Sequence, residues 1–171
     1  MLSELSVVQG NIVAQRDCDG VVNSANQYLI AGGGVCGAIY RAAGPELEPF
    51  TKRLAPLGLG CAVASPGFTL GARWIIHTRG PKFHEDPDPP QNLAKALESA
   101  VLLADQLGVQ RLAIPAISTG VYGYPIREAA SILVDVGLAL IDRASTLSEI
   151  RFVLLDRDFY QIFRDLAMKK L

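Results

Sequence analysis

This chain has little of what a metal centre, a disulfide framework or a membrane anchor requires. Only three of its 171 residues are cysteine and two are histidine. Cys18, Cys36 and Cys61 are odd in number and contain no CxxC pair, and His77 and His84 stand far from them in sequence, so neither a disulfide scaffold nor a thiolate zinc site is suggested. Reduced thiols, no metal and no cofactor are expected. Charge of one sign is equally scarce: 16 Lys and Arg face 17 Asp and Glu, for a formal net charge of −1. That balance argues against a nucleic-acid partner or an anionic membrane, and a polyanion would have to be held locally. The opening MLSELSVVQGN has no basic n-region or long apolar stretch, and the apolar runs elsewhere are broken by charge or glycine well short of a membrane span. A cytoplasmic protein is expected. With no repeats, low-complexity tracts or linker-like shift in composition, residues 1–171 read as one domain.

What the chain does have is apolar residues, half of the total, arranged with alternating periods. Leu5–Gln9, Gly20–Val22, Trp74–Thr78, Leu112–Ile114 and Ile150–Leu155 read as strands rich in β-branched and aromatic residues, with Cys61–Ser65 a weaker candidate. Helical spacing runs through Ala38–Ala43, Asn92–Leu107, Ile126–Arg143 and Phe159–Leu171, with Pro125 placed for a first helical turn and Gly108 for a helix end. Strands alternating with helices imply a parallel or mixed sheet covered on both faces. The proline cluster Asp86–Pro90 is expected to be an exposed turn leading into the long helix.

Two strand-to-helix junctions carry the chemistry. In the first, Val21 to Ala43, an apolar run leads into Asn23 and Asn26, then Gly32, Gly33 and Gly34, then a helix. Glycine there leaves backbone N–H groups bare and free to take φ > 0, and the helix N-terminus behind them favours negative charge. In the second, Arg111–Ile117 is followed by Ser118-Thr-Gly-Val-Tyr-Gly-Tyr-Pro125 and another helix. Two such loops at one end of a parallel sheet could grip a diphosphate from both sides.

Each feature has a plainer reading. Gly32 to Gly37 formally matches GxGxxG, yet a dinucleotide fingerprint wants an acidic residue about 20 positions on, and Leu54 to Phe68 contains none. Asn23 and Asn26 could both merely turn the chain. An amide that donates and accepts also suits ribose hydroxyls, and Asn26 is assigned to ligand and Asn23 to structure. Cys36, near a helix N-terminus where the dipole lowers a thiol pKa, is a possible nucleophile, though a small buried cysteine is the commoner case. Tyr40, Tyr122 and Tyr124 could line a pocket or pack, with Tyr122 favoured for the site by its flanking glycines. His77 reads as a core residue and His84 as part of a solvated loop.

Taken together, Gly10-Asn11-Ile12, VVNSAN, GGGVCGAIYRAAGPEL, WIIHTRGP, IPAISTGVYGYP and the final FVLLDRDFY resemble the macrodomain, an ADP-ribose-binding module, in the branch of the MacroD-type hydrolases. The resemblance implies a three-layer α/β/α sandwich around a mixed, largely parallel six-stranded sheet, with ADP-ribose in a cleft at the strand ends. It implies that Asn11 and Ile12 lie near adenine, that Asn26 holds the distal ribose, and that Gly33, Gly34, Val35 and Gly37 form the first phosphate loop. Ser118, Thr119, Gly120, Val121 and Tyr122 match the second loop, and Leu155 falls where family members have an adenine-stacking aromatic. Asn11 replaces a common Asp, and Cys36 and Tyr40 stand where the hydrolases have a water-orienting Asp and a His. The implied partners are ADP-ribose and mono-ADP-ribosylated proteins. The implied activity is removal of ADP-ribose from Asp or Glu by substrate-assisted attack of water, with Asn26 and Gly34 fixing geometry. The alternatives are a reader without turnover, or a hydrolase of ADP-ribose 1″-phosphate or O-acetyl-ADP-ribose.

Overall fold

The computed structural model describes residues 3–170. Alternation of apolar side chains builds strands β1 (Glu4–Gln9), β2 (Gly20–Ser24), β3 (Ala62–Pro66), β4 (Trp74–Thr78), β5 (Arg111–Ile114) and β6 (Glu149–Leu154). They form one sheet in the order β1-β6-β5-β2-β4-β3, parallel throughout except for β3, which runs antiparallel to β4. Because successive side chains point to opposite faces, Val21, Ile75, Ala113 and Val153 enter one core while Val22, Ile76, Leu112 and Phe152 enter another.

Helices cover each face. The first core is closed by α1 (Gly34–Ala43) and by Leu47 of the short α2 (Leu47–Lys52). The second is closed by α3 (Pro89–Gln106), α4 (Ile126–Ile141) and α5 (Arg157–Lys170). This is the expected three-layer sandwich with a mixed, largely parallel sheet. The expected helix end at Leu171 lies outside the described residues, and α2 is an element that periodicity did not reveal. It spans six residues and has no side-chain cap, too little for a helical signal. Pro125 sits just before α4 rather than in its first turn, and Gly108 follows α3 with φ +83. No helix among the described residues is long and apolar enough to cross a membrane.

One buried polar chain ties β2, β4 and β3 together beneath the strand ends. Asn23 and His77 are neighbours across β2 and β4, both fully buried. Asn23 Nδ2 lies 3.1 Å from His77 Nδ1, and His77 Nε2 lies 2.9 Å from Ser65 Oγ on β3. The structural reading of Asn23 and the core reading of His77 agree with this geometry. Burial pulls the His77 pKa from 6.5 down to about 4, so the folded protein holds this ring neutral.

The unfolded chain takes up a proton at His77 below pH 6.5 that the folded chain refuses until about pH 4. Stability should therefore fall as pH drops through that window, by about 3 kcal/mol in all. The depressed carboxylates of Asp17 and Glu149 lose their contribution lower still, below the ordinary carboxylate range. Urea titrations at stepped pH test this: His77→Gln should flatten the dependence between pH 6.5 and 4, and a wild type already flat there would contradict the assignment.

Candidate functional site

The chain leaves β2 for α1 in one layer and leaves the adjacent β5 for α4 in the other. Neighbouring parallel strands whose connections part in this way leave a crevice at their carboxyl ends. A cleft of about 440 Å³ lies there, bounded by the loops after β2, β5 and β6.

The first wall is Asn26, Gly32, Gly33, Gly34, Val35 and Cys36. Gly34 begins α1 with φ +56, and a Cβ added at Gly33 or Gly34 would meet nothing within 4 Å. No side chain crowds this helix start in the cleft wall, and the unpaired first-turn amides and dipole of a helix N-terminus favour an anion. The second wall is Pro115, Ala116 and the loop Ser118–Tyr122. Ser118 takes φ +68, unusual for a residue with a side chain, and its buried Oγ has no hydrogen-bond partner among the described residues. The third wall, from the end of β6 into α5, supplies Val153, Leu154, Leu155, Asp156 and Phe159. Ser24 completes the lining, and no Lys, Arg or His belongs to it. An anion here would be held by amides and a dipole rather than by cationic side chains.

The segment between β2 and α1 is fastened from several sides. Asn26 Nδ2 donates to the Ile30 carbonyl at 2.7 Å while its Oδ1 accepts from Ile30 N–H at 3.2 Å. Leu29 has φ +56, and its carbonyl accepts from Tyr40 Oη at 2.9 Å and Thr51 Oγ1 at 2.6 Å. Glu48 Oε2 accepts from Ala31 N–H at 3.1 Å. Cys36 Sγ contacts the Ile30 carbonyl at 3.6 Å. Cys36 and Tyr40 therefore serve as ties for this loop, and α2 provides Glu48 and Thr51 for the same purpose.

Ionisation follows burial. Desolvation pushes the Cys36 thiol up, outweighing the Asn23 amide and the Gly32 backbone, which favour the thiolate. The expectation that the helix dipole lowers this pKa is thus corrected: a desolvated sulfur at the edge of a core is held protonated. Burial also raises Tyr40, to about 12, and raises Tyr122, where nearby Arg79 acts in the opposite direction.

Of the residues singled out in the sequence, Asn26, Gly33, Gly34, Val35, Cys36, Ser118, Thr119, Gly120, Val121, Tyr122 and Leu155 come together in this cleft. Asn11, Ile12 and Gly37 do not line it. The Asn11 side chain accepts from Val13 N–H to cap a short 3₁₀ turn, and Ile12 is buried in the core under α1. Gly37 lies inside α1, where a Cβ would come within 2.4 Å of the Gly32 carbonyl oxygen, so it lets the glycine loop lie on the helix. Tyr124 is buried, with its ring edge-on to Phe83. Sequence reasoning missed Asp156 and Phe159, although both stand in the FVLLDRDFY segment. Placing them at the cleft requires knowing that β6 lies beside β5.

A model of the family described as Macro domain matches residues 22–133. The chain belongs to the macro domain family. It is 40% identical to a macro domain-containing protein of Streptomyces coelicolor over 168 residues, covering 95% of this chain and 97% of that one. It is 39% identical to an O-acetyl-ADP-ribose deacetylase of Salmonella gallinarum, covering 99% of this chain and 97% of that protein. Among solved structures, a mutant Oceanobacillus iheyensis macrodomain with ADPR superposes with a TM-score of 0.93 at 33% identity, covering 98% of this chain and 94% of that one. A Trypanosoma brucei macrodomain in complex with ADP-ribose gives 0.87 at 30% identity, covering 94% of this chain and 68% of that one.

If burial governs Cys36, its alkylation by iodoacetamide at neutral pH should run at least roughly tenfold slower than that of a free cysteine. Mass-resolved labelling of the folded macrodomain measures this. A rate at or above that of free cysteine would show an activated thiolate and restore the nucleophile reading.

Proposed function

We propose that this macrodomain, with residues 1–171 as one working unit in the cytoplasm, binds ADP-ribose across the cleft and hydrolyses it from ester linkages to Asp or Glu of modified proteins. The observation that carries the reading is the pair of facing loops, Gly33–Val35 and Ser118–Tyr122, which offer backbone donors and a helix N-terminus to a diphosphate. Adenine then lies toward β6, against Leu155 and Phe159. The Phe159 ring supplies the aromatic contact that Leu155 cannot. The distal ribose falls at the β2 end, where Asn26 keeps one amide hydrogen and one lone pair free beyond its bonds to Ile30.

Hydrolysis at that end needs a placed water and stabilisation of positive charge. Breaking the bond from the anomeric carbon to the ester oxygen leaves an oxocarbenium-like ribose, as in glycoside hydrolysis. The electron pair departs with the carboxylate, which needs no proton to leave. Water forms the new bond to the anomeric carbon and its proton passes to solvent. Cys36 and Tyr40, buried, protonated and committed to the loop, do not act as base. A diphosphate oxygen pinched between the loops orients the water, and the rigid loops fix the approach. A guanidine leaving group would demand a general acid that this cleft does not offer.

A second reading, deacetylation of O-acetyl-ADP-ribose, is favoured by the deacetylase name of relatives 39% identical over nearly the full chain. Both substrates are acyl esters of the distal ribose and need the same cleft. A reader without turnover remains the reading if neither ester is cleaved while ADP-ribose binds.

Time courses of ADP-ribose release from a protein modified on Asp or Glu, and of acetate release from O-acetyl-ADP-ribose, test the proposal. Wild type should cleave the protein ester, with Asn26→Ala slower by at least about 100-fold through lost positioning. Cleavage of O-acetyl-ADP-ribose alone would select the deacetylase, and an Asn26→Ala rate equal to wild type would refute the assigned geometry.

A further inference from the structure

No Lys, Arg or His lines the cleft, but Lys82 stands just outside it, beside the cleft-wall residue Tyr122. The loops that bound the cleft follow β6, β5 and β2, and the next strand in the sheet is β4, whose outgoing loop lies outside the lining. The loop after β4 therefore stands at the end opposite Phe159, beyond Asn26, where a substituent on the anomeric carbon must leave the cleft. Lys82 lies on this loop, and its Nζ sits 5.6 Å from the centroid of the Tyr122 ring, a residue of the cleft wall. The position is built rather than incidental. Phe83 N–H donates to the Tyr122 carbonyl at 2.9 Å, and Lys82 N–H donates to Asp86 Oδ2 at 2.8 Å, which fastens the turn against the second glycine loop. Phe83 also packs edge-on against buried Tyr124, with centroids 4.8 Å apart.

The ammonium is free to act. Among the described residues its ion partner is Glu85 at 3.7 Å, whose side chain is 71% exposed, and an exposed pair of this kind is weak. Near the Tyr122 hydroxyl, Arg79 of the same loop adds positive charge while Asp86 and Glu85 add negative charge. Resting on the reading of the cleft as an ADP-ribose site, we propose that Lys82 is a specificity-determining residue that selects an anionic oxygen group on the anomeric carbon, a phosphate or a departing carboxylate. Lys82 acts here through its charge alone. It offsets negative charge on phosphate already in the ground state, and on carboxylate as the electron pair passes to the leaving oxygen. Glu85 opposes it by competing for the same cation.

Calorimetric and competition binding of ADP-ribose and of ADP-ribose 1″-phosphate, at low and high salt, tests this on wild type, Lys82→Ala, Lys82→Arg, Lys82→Glu and Glu85→Gln. ADP-ribose affinity should stay within about twofold in all five, because the phosphate cradle is untouched. The preference for the 1″-phosphate should drop by roughly fivefold in Lys82→Ala, drop further in Lys82→Glu, survive in Lys82→Arg, rise in Glu85→Gln and shrink with salt. If the ester is cleaved, the rate of release should follow the same order. An unchanged preference in Lys82→Glu would overturn the inference, and so would a parallel fall in ADP-ribose affinity, which would mean that Lys82 merely supports the Tyr122 loop. A wild type that fails to bind ADP-ribose would overturn the cleft assignment itself, and this inference with it.

Discussion

The site depends on a constraint of chain topology: β2 and β5 lie side by side in parallel and hand their chains to opposite layers. Sterics force the two outgoing loops apart, and the gap opens at the N-terminus of α1, whose first-turn amides have no intrahelical acceptor. Glycine at Gly33 and Gly34 keeps that gap from being filled by side chains, and the left-handed backbone at Gly34 turns the helix start toward it. A ligand's negative charge then replaces the acceptors that the fold withholds. No lysine or arginine is needed in the cradle, consistent with a chain of nearly balanced charge.

The same loop explains why residues of unusual type can occupy its most chemical positions. Tyr40 and Thr51 converge on the Leu29 carbonyl, and Asn26 and Cys36 converge on that of Ile30. Fixing the segment by several hydrogen bonds limits the entropy lost when a ligand orders it. Spending Cys36 and Tyr40 on rigidity leaves no side-chain base at the distal end. On the proposed hydrolase reading, catalysis there would come from placement and from charge on the substrate itself, which suits an ester with a stable carboxylate product.

Local signals carried most of the fold and about half of the site's logic. Alternating apolar residues located all six strands, and glycine crowding located both loops that face across the cleft, because each is a property of contiguous residues. What stayed hidden depends on which strands become neighbours. Phe159 reaches the cleft and Lys82 comes near Tyr122 only because β6 lies beside β5 and β4 beside β2, an order that the chain sequence does not display. The α2 helix was illegible for a different reason: its six residues are held by tertiary bonds through Glu48 and Thr51 rather than by their own periodicity. Cys36 shows the limit of reasoning from a helix terminus alone, since desolvation of the buried sulfur pushes its pKa up and outweighs the hydrogen bonds that favour the thiolate.

The central claim is that backbone amides around Gly34 hold the ligand, and titration of ADP-ribose into wild type and Gly34→Glu tests it most directly. A glutamate there places a side chain on a left-handed backbone, fills the open cradle and sets a carboxylate against the diphosphate. The account predicts measurable binding by wild type and a loss of at least about 100-fold in the variant, equivalent to roughly 3 kcal/mol, with the thermal midpoint confirming that the variant is folded. Undiminished binding by a folded Gly34→Glu chain would contradict it.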